Sequence, residues 1–308
     1  MLAGEVLKKF DFEGCELINV DDRSEPEAQL QGKTLCAENN ILYLQNPGKG
    51  IQMATHTVMK FVKENRPNCK WLICFQHDTY PLTEGFFTRI GELARSGKID
   101  QFGVLGFNML DLGEYCLEDH ECWKEGEEPL SGLALFHLSV KHTEQRVILP
   151  HRTDLVSSRP ELYTEPFIAE FPMWTVVGIN VEKWFEHITP TEDYEFHLWM
   201  PDICVQFMAA NVECLILPKL YYMNNQHIKE RYGIPKCSAG GARAGQHHFF
   251  GEYGPHLINF KKRWGWDYED IDNGFPEVLE KYKGTLIDKY YHHDPTTGPL
   301  KSYHLGNY

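Results

Sequence analysis

The run Trp71-Leu72-Ile73-Cys74-Phe75 carries five apolar or aromatic residues without a break and then stops at Gln76-His77-Asp78-Thr79-Tyr80-Pro81. A strand with one wet face would alternate, so a short unbroken run bounded by polar residues reads as a central strand covered on both faces. In open α/β sheets, ligands collect beyond the carboxyl ends of such strands, which places Asp78 where chemistry concentrates. The same Asp-Thr-Tyr-Pro composition also suits a plain solvated turn. The neighbouring sequence has to separate the two.

Upstream, Leu17-Ile18-Asn19-Val20 is a second short apolar run, and it ends in Asp21-Asp22-Arg23-Ser24. Ile41-Leu42-Tyr43-Leu44 follows, then Asn46-Pro47-Gly48-Lys49-Gly50, which opens a helical pattern with apolar Ile51, Ala54, Val58, Met59 and Val62. The order is strand, acidic loop, strand, glycine loop, helix, strand, acidic loop. Downstream come Pro172 to Asn180 as a strand with its turn and a short helix holding Val181, Trp184, Phe185 and Ile188. Tyr194 to Cys204 follows, with Pro201-Asp202 reading as the first turn of a helix, because proline suits the first helical position. Leu215-Ile216-Leu217-Pro218 is a further strand, His227 lies nine residues beyond that proline, and Phe260-Lys261-Lys262-Arg263-Trp264-Gly265 closes the series.

This succession, over roughly residues 17–265, resembles inverting GT-A glycosyltransferases of the family-2 type. It is most similar to rhamnosyltransferase-like members, in which Asp-Gln-Asp-Thr stands where Gln76-His77-Asp78-Thr79 stands here. The resemblance implies an α/β, Rossmann-like fold: a mixed, mainly parallel sheet flanked by helices, with a C-terminal helical or irregular extension. It implies a catalytic domain over 1–230, with a nucleotide-binding part to about 110 and an acceptor part over 111–230, followed by a lid and extension over 231–308. The family usually opens with a strand and a base-holding loop, whereas Met1 leads into a helix-like segment here. Either another segment fills that edge or the reading frame is truncated.

The implied reaction moves a sugar from a nucleoside-diphosphate donor to an acceptor hydroxyl. Negative charge builds on the departing diphosphate, and a divalent cation stabilises it as a Lewis acid. Mn²⁺ or Mg²⁺ would suit, held by Asp78 and His227 with the diphosphate and water. The family's triplet begins with an acid where Gln76 stands, so metal affinity would be weaker or lean on His227; His227 also reads as a surface residue in a polar run. Asp202 is the expected general base, kept ionised by the helix dipole. A stabilising first-turn acid would look the same, and Glu192, Asp193 and Glu195 are nearby rivals.

For the donor, Asp21 or Asp22 would accept hydrogen bonds from base or ribose, Asp21 being the better match by register. Gly48 and Gly50 would let backbone approach the nucleotide, with Lys49 near ribose or phosphate and His77 beside Asp78. A strand-to-helix turn needs glycine for conformational reasons as well. Ser238 to His248 is small and flexible, then basic and imidazole-rich; it reads as a lid with Arg243 as an anion donor, or as a plain surface linker.

Composition sets the bounds. The 308 residues are 42% hydrophobic and 13% aromatic, enough for a large core and for one catalytic domain with an extension. A net charge of −14 argues against a broad nucleic-acid or anionic-membrane surface. Nine scattered cysteines, odd in number and without a Cys-x-x-Cys pair, suit a reducing cytoplasm. No apolar stretch is long enough to span a bilayer. The acceptor stays open: a glycan, a lipid-linked intermediate, a protein or a modified nucleic-acid base. Two other functions stay in play, a catalytically weak carbohydrate-binding relative and a metal-dependent hydrolase.

Overall fold

The computed structural model describes residues 12–75, 79–81, 83–110, 135–136, 164–172, 175–195, 197–224, 253–268, 274–293, 297–306 and 308. The N-terminal layer is β1 (Ile18–Asp21), α1 (Pro26–Glu38), β2 (Leu42–Gln45) and α2 (Gly50–Asn65). β1 and β2 pair in parallel, from Ile18 opposite Leu42 to Asp21 opposite Gln45, so the acidic loop and the glycine loop leave the same end of the pair.

A six-stranded sheet follows, built from β3 (Trp71–Phe75), β4 (Thr79–Pro81), β5 (Val104–Leu110), β7 (Phe167–Ile168), β9 (Val176–Asn180) and β10 (Cys214–Asn224). Its order is β3-β9-β5-β10-β4, with β7 also on β10. Only β5 and β10 run parallel; the other ladders are antiparallel, so the sheet is mixed. The expectation of a mainly parallel sheet is not carried by these ladders, because burial on both faces looks the same in sequence whichever way the neighbours run. The register on β5 slips between Leu217 and Tyr221 of β10, a bulge at Pro218, which has no N–H to give to a ladder. Two-residue β6 (Leu135–Phe136) pairs with β8 (Phe171–Pro172).

The remaining helices are α3 (Phe86–Ser96), α4 (Val181–His187), α5 (Trp199–Ala209), α6 (Tyr253–Trp264), α7 (Phe275–Val278) running into a 3-10 turn (Leu279–Tyr282), and α8 (Leu286–His292). Every residue of α5 from Trp199 to Met208 is buried, the mark of a helix packed on all sides. It touches α2, β8 and α8. Pro201 falls on the third residue of α5, not the first. That position is tolerated because the early N–H groups of a helix have no intrahelical partner. Phe260, Trp266, Phe275, Ile287 and Tyr290 join the same core as the sheet, so the described part of 253–293 packs onto it directly. The last residues cross β7 and α3: Ile168 donates to the Lys301 carbonyl at 3.0 Å, and Lys98 to the Leu305 carbonyl at 2.8 Å. Among the described residues no helix is long and apolar enough to cross a membrane.

Candidate functional site

Two parts make up the site: a cleft at the carboxyl ends of β1 and β2, and a buried carboxylate beneath the loop that closes on it. Asp22 sits on the first turn of α2, its two oxygens each 3.2 Å from the Gly50 N–H, and it also takes the Asn46 amide at 2.8 Å. A carboxylate there satisfies an N–H that the helix cannot and complements the helix dipole. Asn46 holds the turn from the other side, accepting from the Gly48 N–H at 3.1 Å and the Thr57 hydroxyl at 3.3 Å. Asp22 is therefore fully engaged in shaping the glycine loop.

Asp21 is 9% exposed, and its Oδ1 takes the Ser24 N–H at 2.9 Å. Burial, with Asp21 close by, pushes the Tyr43 hydroxyl up to about 12. Asp21 lines a cleft of about 520 Å³ together with Arg23, Ser24, Gln29, Gln45 and Asn46.

The loop 189–195 covers the start of α2. Ile51 donates its N–H to the Glu195 carbonyl at 3.0 Å, and Lys49 pairs with the Glu195 carboxylate. Gly50 has φ +85, and a Cβ there would lie 2.6 Å from the Glu195 Cα and 2.8 Å from the Tyr194 carbonyl. Only glycine allows both that backbone angle and that approach.

Asp202, in the first turn of α5, is 0% exposed. Its Oδ2 accepts from the Gln52 and Gln206 amides, both at 2.9 Å. Its Oδ1 accepts from the Trp264 indole at 2.9 Å and faces Arg263 Nε at 3.3 Å. Burial pushes this carboxyl above its usual range, against the opposing pull of Arg263 and the three N–H donors. Close by, burial and then the charge of Asp202 push the Tyr194 hydroxyl far above the ordinary phenol range.

The two glutamines do more than hold Asp202. Gln52 Oε1 accepts the Thr191 N–H at 2.6 Å, and Gln206 Oε1 accepts the Thr189 N–H at 2.7 Å. Arg263 donates to the Thr189 carbonyl at 2.8 Å and Asn259 to the Asp193 carbonyl at 3.0 Å. Asp202 is thus a hub joining α2, α5, α6 and the loop whose Glu195 closes on the glycine loop.

The structure brings Asp21, Asp22, Gly48, Lys49 and Gly50 to one end of the β1–β2 pair and places Asp202 beneath the adjoining loop. His77, Asp78, His227 and Arg243 lie outside the described residues. Among the described residues no three His, Cys, Asp or Glu side chains come together to hold a metal ion. The sequence reading does not single out Gln52 or Gln206, two glutamines that packing buries on either side of Asp202. Their spacing was the available signal: Gln52 falls on the face of Thr55, Met59 and Val62, and Gln206 lies one turn beyond Asp202.

No family model and no curated protein matches this chain. Among solved structures it is similar to the crystal structure of GalNAc-T7 with UDP, GalNAc and Mn²⁺, at a TM-score of 0.45 and 14% identity, over 68% of this chain and 37% of that one. The crystal structure of S. aureus TarS gives 0.40 and 14%, over 76% and 35%. A197 from STIV gives 0.34 and 10%, over 67% and 83%. The chain thus spans little more than a third of the first two. At TM-scores below 0.5 these likenesses carry neither a fold family nor an activity over to this chain.

Proposed function

We propose that this chain is an inverting glycosyltransferase of GT-A, family-2-like type that moves a sugar from a nucleoside-diphosphate donor to an acceptor hydroxyl. The observation that carries the reading is the cleft at the carboxyl ends of β1 and β2, with Asp21 in its wall and the Asp22-braced glycine loop at its rim. The nucleoside lies in that cleft, with Asp21 accepting from base or ribose. Gly48 and Gly50 let the loop 189–195 pack closely on the strand-to-helix turn that forms the rim, and Lys49 exchanges Glu195 for phosphate oxygens. Arg243, with His77 and Asp78, completes the diphosphate end. Mn²⁺ or Mg²⁺ held by Asp78 and His227 would supply Lewis-acid stabilisation of the leaving diphosphate.

Asp202 takes the acceptor proton as the hydroxyl attacks from the face opposite the leaving group. Its Oδ1 must first be uncovered, and both groups over it, Arg263 and Trp264, sit on the last turn of α6. Withdrawal of that turn would free one lone pair while Gln52 and Gln206 keep Oδ2 in place. The enclosure of Asp202 also favours a second reading, a nucleotide-sugar or carbohydrate-binding relative in which Asp202 only braces the fold.

Thermal stabilisation by nucleoside diphosphates, with and without Mn²⁺, tests the donor site. The expected result is a nucleotide-dependent rise in Tm, weakened in Asp21→Asn and made metal-independent in Asp78→Ala. No shift with any nucleotide sinks the reading. Nucleotide binding without sugar transfer to any acceptor tried would select the second reading.

A further inference from the structure

The one strained arginine of the described chain faces this cleft. Arg23 lies in the left-handed region at φ +64, where a residue with a Cβ costs about 1 kcal/mol and glycine costs little. Arg23 lines the cleft and is exposed, and among the described residues its side chain makes no hydrogen bond or ion pair. The contrast with Lys49, already held by Glu195, is direct. Nothing in the packing of the β1–α1 turn calls for an arginine here.

The open polar atoms in the cleft limit what can fill it. Gln29 is spent on both ends, donating to the Ser24 carbonyl at 2.7 Å and accepting from Gln45 at 3.0 Å. Asn46 is spent on Asp22, the Gly50 carbonyl, Gly48 and Thr57. The Asp21 carboxylate holds Ser24 on Oδ1 and has the Tyr43 hydroxyl beside it, and its remaining lone pairs still offer an acceptor. Arg23 offers a planar fork of donors. A ligand that satisfies both must present an N–H donor and an oxygen acceptor on one flat edge.

Among the four ribonucleotide bases, guanine and uracil have that edge, a ring N–H beside a ring carbonyl. Adenine has no carbonyl, and cytosine has a bare ring nitrogen where the N–H would be. We propose that Arg23 is a specificity-determining residue that reads the ring carbonyl of a guanine or uracil nucleotide whose neighbouring N–H is accepted by Asp21. The proposal rests on the donor-site reading given above and narrows it to the base.

The experiment is a calorimetric titration of UDP, GDP, CDP and ADP into the wild type, Arg23→Gly and Arg23→Lys. Glycine suits the backbone angle at position 23, so a misfolded variant is not a concern. The wild type should favour UDP or GDP over CDP and ADP. Both variants should bind the favoured nucleotide about 10-fold or more weakly, the loss of a hydrogen bond from a charged donor, with CDP and ADP changed less than about 3-fold. An equal loss for all four would make Arg23 a phosphate contact and overturn the proposal, as would unchanged binding or a wild-type preference for ADP or CDP. If no nucleotide binds the wild type, the donor-site reading itself has failed; if the wild type binds and the variants match it, only the role of Arg23 has.

Discussion

Replacing Gln52 with methionine tests the hub at Asp202 without touching a group assigned to chemistry. Gln52 is 0% exposed, and methionine nearly keeps its length and volume, so cavity effects are small. Three interactions go: the amide donations to Asp202 at 2.9 Å and to the Trp199 carbonyl at 3.3 Å, and the acceptance of the Thr191 N–H at 2.6 Å. A hydrogen bond to a charged group contributes about 1.5–3 kcal/mol, and a buried group left unpaired costs about 1–3 kcal/mol. Thr191 is half-buried, so water can take over its N–H and that second cost falls to the low end. The sum is about 2–4 kcal/mol.

At about 2 °C per kcal/mol for a chain somewhat larger than 250 residues, Tm should drop by about 4–8 °C. Thermal denaturation followed by circular dichroism reads this, with Thr55→Val as control for a small polar change on the same helix. Amide exchange at Thr191 and Ile51 should quicken in the methionine variant alone, because the loop loses its tie to α2. A Tm within about 1 °C of wild type, with unchanged exchange, would refute the idea that Gln52 braces Asp202 and the loop.

Gly50→Ala should destabilise by about 2–4 kcal/mol and abolish nucleotide stabilisation, since the added Cβ meets backbone at 2.6 Å and 2.8 Å that no side-chain rotation can relieve; a soluble variant with wild-type Tm would contradict the close approach. His56 accepts the Trp184 indole N–H on Nδ1 at 3.1 Å, and burial, then Lys60, lower its pKa. The unfolded chain therefore binds this proton more readily than the folded one, so the stability from this contact is complete above about pH 6.5 and is lost as pH falls from there through the folded value. Melting at pH 7.5 and 5.5 should show a smaller difference in His56→Gln than in wild type; equal differences would exclude His56 as a contributor.

Local features were legible in the sequence wherever one element sufficed to fix them. The apolar runs at 17–20, 41–44 and 71–75 form strands because few other conformations bury so many side chains in so short a span. Asn46 to Gly50 forms the strand-to-helix turn because its glycines and its Asn side chain fit that backbone. Asp21 and Asp22 sit at a strand end, as their position after Val20 implies, but the sequence does not divide their work. The fold does so by aiming Asp22 at the Gly50 N–H, 28 residues away.

The tertiary structure alone decided what happens at Asp202. A helix-first-turn aspartate reads as exposed and helix-stabilising, and here it is enclosed by donors from Gln52, Gln206, Arg263 and Trp264, partners as far as 150 residues apart in the chain. Strand direction was decided the same way, since an apolar run carries no arrow. The sequence by itself determined the strands β1, β2 and β3 and the turn into α2, because those depend on near neighbours, whereas α1 (Pro26–Glu38) stands in that reading only as an acidic loop. Which carboxylate is buried, which polar face of α2 turns inward and which arginine is left open to a cleft depend on surfaces that meet only after packing, where desolvation and pairing outweigh local preference.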